Sequence, residues 1–169
     1  MRTRRQFNRI WHRVRTETDS SSLRKLTRML RSRNGDARLA ALFRVRKQMS
    51  TTRLKGYFTL GKSCMTDRDN DCRWQATIIV GEYIHLFPDK VWKVIAKFGR
   101  SSDRDMRVAV SSILLEHLLE QRFKQFFQRV KREAFRSRTF ADTLSKSGSF
   151  IRGKRNRQQF QEALHQLNN

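Results

Sequence analysis

Arg5, Arg9 and Arg13 stand four residues apart, with Arg2 three residues before them, and no acidic residue interrupts residues 1–16. On a helix with 3.6 residues per turn this spacing puts the guanidinium groups in one row. A row of permanently charged, planar, multi-donor groups is suited to phosphate oxygens, which it can grip two at a time. The spacing recurs at Arg24, Arg28 and Arg31, continues with Arg44 and Lys47, and returns near the other end at Arg129, Arg132 and Arg136. These are the candidate nucleic-acid-binding residues.

Other chemistries leave weaker traces. The sequence has no Gly-rich phosphate loop, no His-Glu-x-x-His zinc pair and no nucleophile elbow. Glu82 and His85 lie at i, i+3 and would pair on a helix, while the adjacent Glu116 and His117 would point apart. The thiols Cys64 and Cys72 make neither a disulfide framework nor a zinc site without a second cluster. No metal and no cofactor is therefore expected. Two thiols of this kind fit a reduced, intracellular chain.

Charge sharpens the first reading. The chain of 169 residues carries 38 Lys and Arg against 15 Asp and Glu, a formal net charge of +23. Residues 1–55 hold 17 basic and 3 acidic side chains, residues 56–120 hold 9 of each, and residues 121–169 hold 12 and 3. Solubility alone does not require that segregation, whereas a polyanion does. Nucleic acid is the first such partner, and an anionic membrane surface or an acidic protein is the alternative. No apolar run is long enough for a transmembrane helix. A cytoplasmic location is expected, with an organelle address on the Arg-rich, acid-poor N-terminal segment as the alternative.

The elements that must carry these residues read as helices. One proline, Pro88, and 7 glycines leave long stretches without breakers. Phe7, Ile10, Trp11 and Val14 form an apolar stripe on the first helix. Val91, Val94, Ile95 and Phe98 form another, with Pro88 and Asp89 in its first turn. Met106, Ala109, Val110, Ile113, Leu114 and Leu118 form a third, widened by Val108, Leu115 and Leu119. A helix apolar on so much of its girth packs on two sides.

A period organises these helices. Asp36-Ala37-Arg38, Asp71-Cys72-Arg73 and Asp105-Met106-Arg107 each precede a run of small or apolar residues, and the aspartates are 35 and 34 residues apart. Each follows a polar turn and is read as the N-cap of a second helix. Leu23, Leu26 and Leu30 pair with Leu39, Leu42, Phe43 and Val45. Leu54, Tyr57, Phe58 and Gly61 pair with Trp74, Ile78, Ile79, Tyr83, Ile84 and Phe87. Phe123, Phe126, Phe127, Val130 and Ala134, followed by Phe140 and Leu144, mark a degenerate fourth pair.

Paired helices with this period, and a second helix opening Asp-x-Arg before an Ala-rich stripe, resemble HEAT repeats. The resemblance covers residues 20–120 well and 121–146 loosely. It implies an all-α fold, an α-solenoid of three to four helix pairs behind a basic N-terminal helix. The expected organisation is a repeat domain over 1–146. It comprises the helix at 1–16, repeats at about 20–50, 53–87 and 88–120, and a degenerate unit at 121–146. A basic flexible segment and a short docking helix with Phe160, Ala163, Leu164 and Leu167 follow over 147–169. By the same resemblance, Asp36, Asp71 and Asp105 with Arg38, Arg73 and Arg107 would form a ladder between units.

The chain is also distantly similar to bacterial HEAT-like glycosylases that remove alkylated bases from DNA, in its repeats, its charge, Arg73-Trp74 and Pro88-Asp89-Lys90-Val91-Trp92. That likeness implies aromatics at Trp74, Tyr83 and Trp92 and a catalytic carboxylate at Asp103 or Glu116. Trp74 and Trp92 are equally well placed as core residues. The leading expectation is a non-enzymatic repeat protein on the phosphate backbone, with DNA favoured over RNA. A glycosylase and a protein–protein adaptor with a concave face are the alternatives.

Overall fold

Apolar residues at helical spacing, separated by short polar turns, become helices throughout a computed structural model of the chain. It describes residues 3–16, 22–50, 55–148 and 150–168, and no strand occurs among them. The chain divides into two compact units, Met1–Val80 and Gly81–Asn169.

The first unit holds α1 (Arg4–Thr16), α2 (Leu23–Leu30), α3 (Gly35–Met49), α4 (Lys55–Cys64) and α5 (Asn70–Gly81). Helix α3 is the one around which the others gather, because α1, α2 and α4 all pack on it. Its Leu39, Ala40, Ala41, Leu42, Phe43 and Val45 are consecutive or nearly so, and all are buried. A helix buried on several sides needs that continuous run and cannot show a one-sided stripe. Helix α1 does show one. Ile10 and Val14 are buried, and Phe7 and Trp11 meet the Phe43 ring edge-on at centroid distances of 5.1 and 4.9 Å. Leu26 anchors α2, while Leu23 stays 38% exposed beside Gly56 of α4.

The second unit holds α6 (Pro88–Phe98), α7 (Arg104–Ala109), a π-helical segment (Val110–Leu115), α8 (Glu116–Arg136), α9 (Arg138–Ser145) and α10 (Lys154–Asn168). From Arg104 to Arg136 helical backbone runs on through one interruption at Arg122. The boundary expected at 120/121 is instead a kink at Arg122, whose φ and ψ are −135° and 33°. No Gly or Pro stands there to make a turn, so the helix bends and resumes. Helix α8 buries Phe123, Phe126, Phe127, Val130 and Ala134, and packs on α6, α9 and α10. Gly99 closes α6 so near to α9 that a Cβ would lie 2.8 Å from the Phe140 ring, and its carbonyl accepts from the Thr143 hydroxyl at 2.7 Å.

The basic segment read as flexible over 147–157 is ordered helix from Lys154 onward. Phe160 and Ala163 of α10 are buried, and Phe160 fits against Gly148, whose φ of 116° only glycine adopts easily. Burial of these two apolar residues extends the helix back through its basic first turn. Glu82 and His85, read as a helical pair, fall in the turn that follows α5.

Candidate nucleic-acid interface

Arginine has two fates in this molecule, and they separate by position. The first is structural and is set up by the turns before α3, α5 and α7. In each turn one side-chain oxygen caps the coming helix. Asn34 Oδ1 accepts from the N–H groups of Asp36 (2.8 Å) and Ala37 (3.4 Å). Asp69 Oδ1 accepts from Asp71 (3.0 Å) and Cys72 (3.2 Å). Asp103 Oδ1 accepts from Asp105 (2.9 Å) and Met106 (3.3 Å). The N-caps are thus Asn34, Asp69 and Asp103, two residues before the aspartates expected from the sequence. Asp36, Asp71 and Asp105 lie in the first helical turn, where a negative charge still faces the positive helix end.

The agreement goes further. The residue two before each cap, Ser32, Asp67 or Ser101, accepts from the cap's own N–H at 3.2, 2.9 and 3.2 Å. The arginine four after each cap folds back onto that same residue's carbonyl. Arg38 Nη1 donates to Ser32 at 2.9 Å, Arg73 Nη1 to Asp67 at 2.7 Å and Arg107 Nη1 to Ser101 at 2.7 Å. These carbonyls lie in the turns that follow α2, α4 and α6, outside the helical hydrogen-bond ladders. One seven-residue pattern, from Ser32 to Arg38, Asp67 to Arg73 and Ser101 to Arg107, therefore builds one turn three times.

Arg38 and Arg107 also reach forward. Arg38 forks onto Asp67, with Nε to Oδ2 at 2.7 Å and Nη2 to Oδ1 at 2.9 Å, so the first turn is tied to the second. Asp67's hydrogen bond holds the Arg38 guanidinium above its ordinary pKa, against the opposing effect of burial. Arg68 donates to the Arg33 carbonyl across the same pair of turns. Arg107 reaches Asp142 of α9, with Nε to Oδ2 at 3.2 Å. The acids that Arg38 and Arg107 reach are Asp67 and Asp142.

The second fate is exposure. Arg5, Arg9 and Arg13 lie exposed on α1, and Arg24, Arg28 and Arg31 lie exposed on α2. Arg2 falls outside the described residues. Arg44 and Lys47 on α3 are half-buried, and Lys47 Nζ donates to the Val14 carbonyl at 3.4 Å, tying α3 to the end of α1. Arg46, not singled out from the sequence, bonds Gln75 Oε1 at 2.7 Å and lies over the Trp11 ring at 5.7 Å. On α8, Arg132 and Arg136 are exposed, whereas Arg129 bridges Asp89 at 2.5 Å and covers the Phe126 ring.

The residues considered for base removal have other occupations. Asp103 is the cap of α7, and Glu116 is buried at the start of α8. Tyr83 is buried and stacks on Phe87, and Trp92 packs against Phe126 and Phe140. Cys64 and Cys72 are buried thiols in no disulfide, and burial pushes the Cys64 thiol pKa up. No cluster of three or more metal-ligating side chains occurs among the described residues. No described helix is long and apolar enough to cross a membrane. No family model matches the chain, and no curated protein or solved structure matches it.

Proposed function

We propose that this protein is a non-enzymatic, HEAT-like helical repeat protein that binds the phosphate backbone of nucleic acid. The observation that carries the reading is the set Arg5, Arg9, Arg24, Arg28 and Arg31. All are exposed, and none forms an ion pair among the described residues. Unpaired guanidinium groups of one sign on adjacent helices repel one another, and a polyanion relieves that repulsion while releasing its own counterions. Arg13, Arg132 and Arg136 add to the exposed cationic surface, Arg44, Lys47 and Arg129 support it from half-buried or bridged positions, and Arg2 precedes it in sequence. DNA is favoured over RNA on the likeness to the HEAT-like alkylation-repair proteins.

The repeat assignment rests on the turn that recurs at Ser32–Arg38, Asp67–Arg73 and Ser101–Arg107, with the same cap and the same returning arginine. The glycosylase reading has no comparable support, because Asp103 is engaged as a cap and Glu116 is buried. Titrating the purified chain with labelled duplex DNA, single-stranded DNA, RNA and anionic vesicles tests the proposal. Salt-sensitive binding to an oligonucleotide is expected. Binding to vesicles alone would overturn it.

A further inference from the structure

The outward side of α8 has a composition different from that of α2. Gln121, Lys124, Gln125, Gln128, Arg132 and Arg136 are all exposed and recur at three- and four-residue intervals, opposite the buried Phe123, Phe126, Phe127 and Val130. The stripe contains no carboxylate. The two acids at its flanks are each held by an arginine, Glu120 by Arg152 at 2.6 Å and Glu133 by Arg100 at 3.1 Å. What remains is cationic and, unlike the arginine row of α2, is interleaved with amides that both donate and accept.

That mixture distinguishes reading bases from gripping phosphates. A glutamine amide pairs with the N6 and N7 edge of adenine, and an arginine fork pairs with O6 and N7 of guanine. Both edges are displayed in the major groove of B-form DNA, which admits a helix, whereas the major groove of duplex RNA is too narrow. Beyond the kink at Arg122, α8 runs straight for about 20 Å, and Gln125 to Arg132 spans roughly 10 Å, about three base-pair steps. We propose that the Gln125–Gln128–Arg132 face of α8 is a base-reading surface for the major groove of duplex DNA, flanked by phosphate contacts from Lys124 and Arg136. This rests on the nucleic-acid reading above and adds sequence preference to it.

The full chain is used to select from random-sequence duplex DNA. The selected duplex is then compared with a scrambled one, for the native protein and for Gln125→Ala/Gln128→Ala. Alanine suits an exposed helical position, so the variant should fold, and its circular dichroism checks this. The native protein should prefer the selected duplex about ten-fold or more, with adenines in the selected site. The variant should lose that preference while keeping its affinity for the scrambled duplex and its salt slope. A preference that survives in the variant overturns the base-reading face. So does salt-dependent binding with no selection of sequence, an outcome that leaves the backbone reading intact. An RNA duplex of the selected sequence bound as tightly as the DNA also overturns the major-groove assignment. Absence of binding to any oligonucleotide overturns both proposals.

Discussion

Arg38 and Arg28 lie ten positions apart in the first unit and are used in opposite ways. Arg38 is 5% exposed, and its guanidinium donates to the Asp67 carboxylate and to the carbonyls of Ser32 and Arg33. Arg28 stands exposed on α2 with no ion pair among the described residues. Arg73 and Arg107 share the first use, while Arg5, Arg9, Arg24 and Arg31 share the second. Basic composition alone therefore says little about a partner. What matters is how much positive charge remains after the fold has used the arginines that hold its turns. In the turns, carbonyls and acids consume the charge. At Arg5, Arg9, Arg24, Arg28 and Arg31 no acid among the described residues does so.

The comparison breaks most visibly through stability. Arg38→Ala removes one member of a nearly buried pair and leaves Asp67 without its charge partner, at a cost of about 3–5 kcal/mol. Arg28→Ala should stay within about 0.5 kcal/mol of the native protein. Urea unfolding of the two variants measures the difference. Equal and small effects would mean that the turn pair carries no weight.

A smaller effect is expected at the caps. Asn34→Ala deprives two N–H groups of their acceptor and should cost about 0.5–2 kcal/mol. Asp36→Ala removes a charge near the helix start and should cost about 0.3–1 kcal/mol. A reversed order in thermal unfolding would return the cap to the aspartate of the Asp-x-Arg triplet.

The smallest effect is one of pH. The hydrogen bond from Lys146 is the main cause that holds the Asp142 carboxyl below its usual pKa, with Arg107 adding to it. A carboxyl lowered on folding contributes stability above its unfolded pKa of about 3.9, and that contribution is lost as pH falls through the lower folded value. Native protein and Asp142→Asn should therefore differ in urea midpoint at pH 6 and converge below about pH 4. A difference that persists at low pH would assign the effect to packing. Asp142 is 45% exposed, so the gap should be slight.

Much of this was legible in the sequence. The stripe Phe7, Ile10, Trp11, Val14 marked both the existence of α1 and its buried face. The triple Asp-x-Arg pointed to three helix starts. The register of the caps was not legible, because each turn offers several competing acceptors. Thr66-Asp67-Arg68-Asp69-Asn70 alone contains four side chains able to accept from a backbone N–H, and geometry chooses Asp69. The Arg38–Asp67 fork joins residues 29 apart, and nothing in local spacing encodes which two turns come together. The run from α7 to α8 was legible only in outline. Its apolar pattern shifts phase near Arg122, which reads as a boundary, yet no breaker residue is present and the chain kinks within the helix. In the candidate interface, the exposed rows of α1 and α2 followed directly from four-residue spacing. The half-burial of Arg44 and Lys47 did not, because it depends on α1 lying against α3.

Under the proposed function, the arginines that the fold leaves unpaired are the ones that hold phosphate. The most direct test is the salt dependence of duplex DNA binding by Arg24→Glu/Arg28→Glu/Arg31→Glu, set beside a matched reversal of Lys90, Lys93 and Lys97 on α6. The α2 variant should bind all sequences more weakly, and its slope of log affinity against log salt should flatten by about one unit per lost contact. The α6 variant should change less, because residues 56–120 carry 9 basic and 9 acidic side chains. An unchanged slope in the α2 variant, or a larger loss in the α6 variant, would contradict the account.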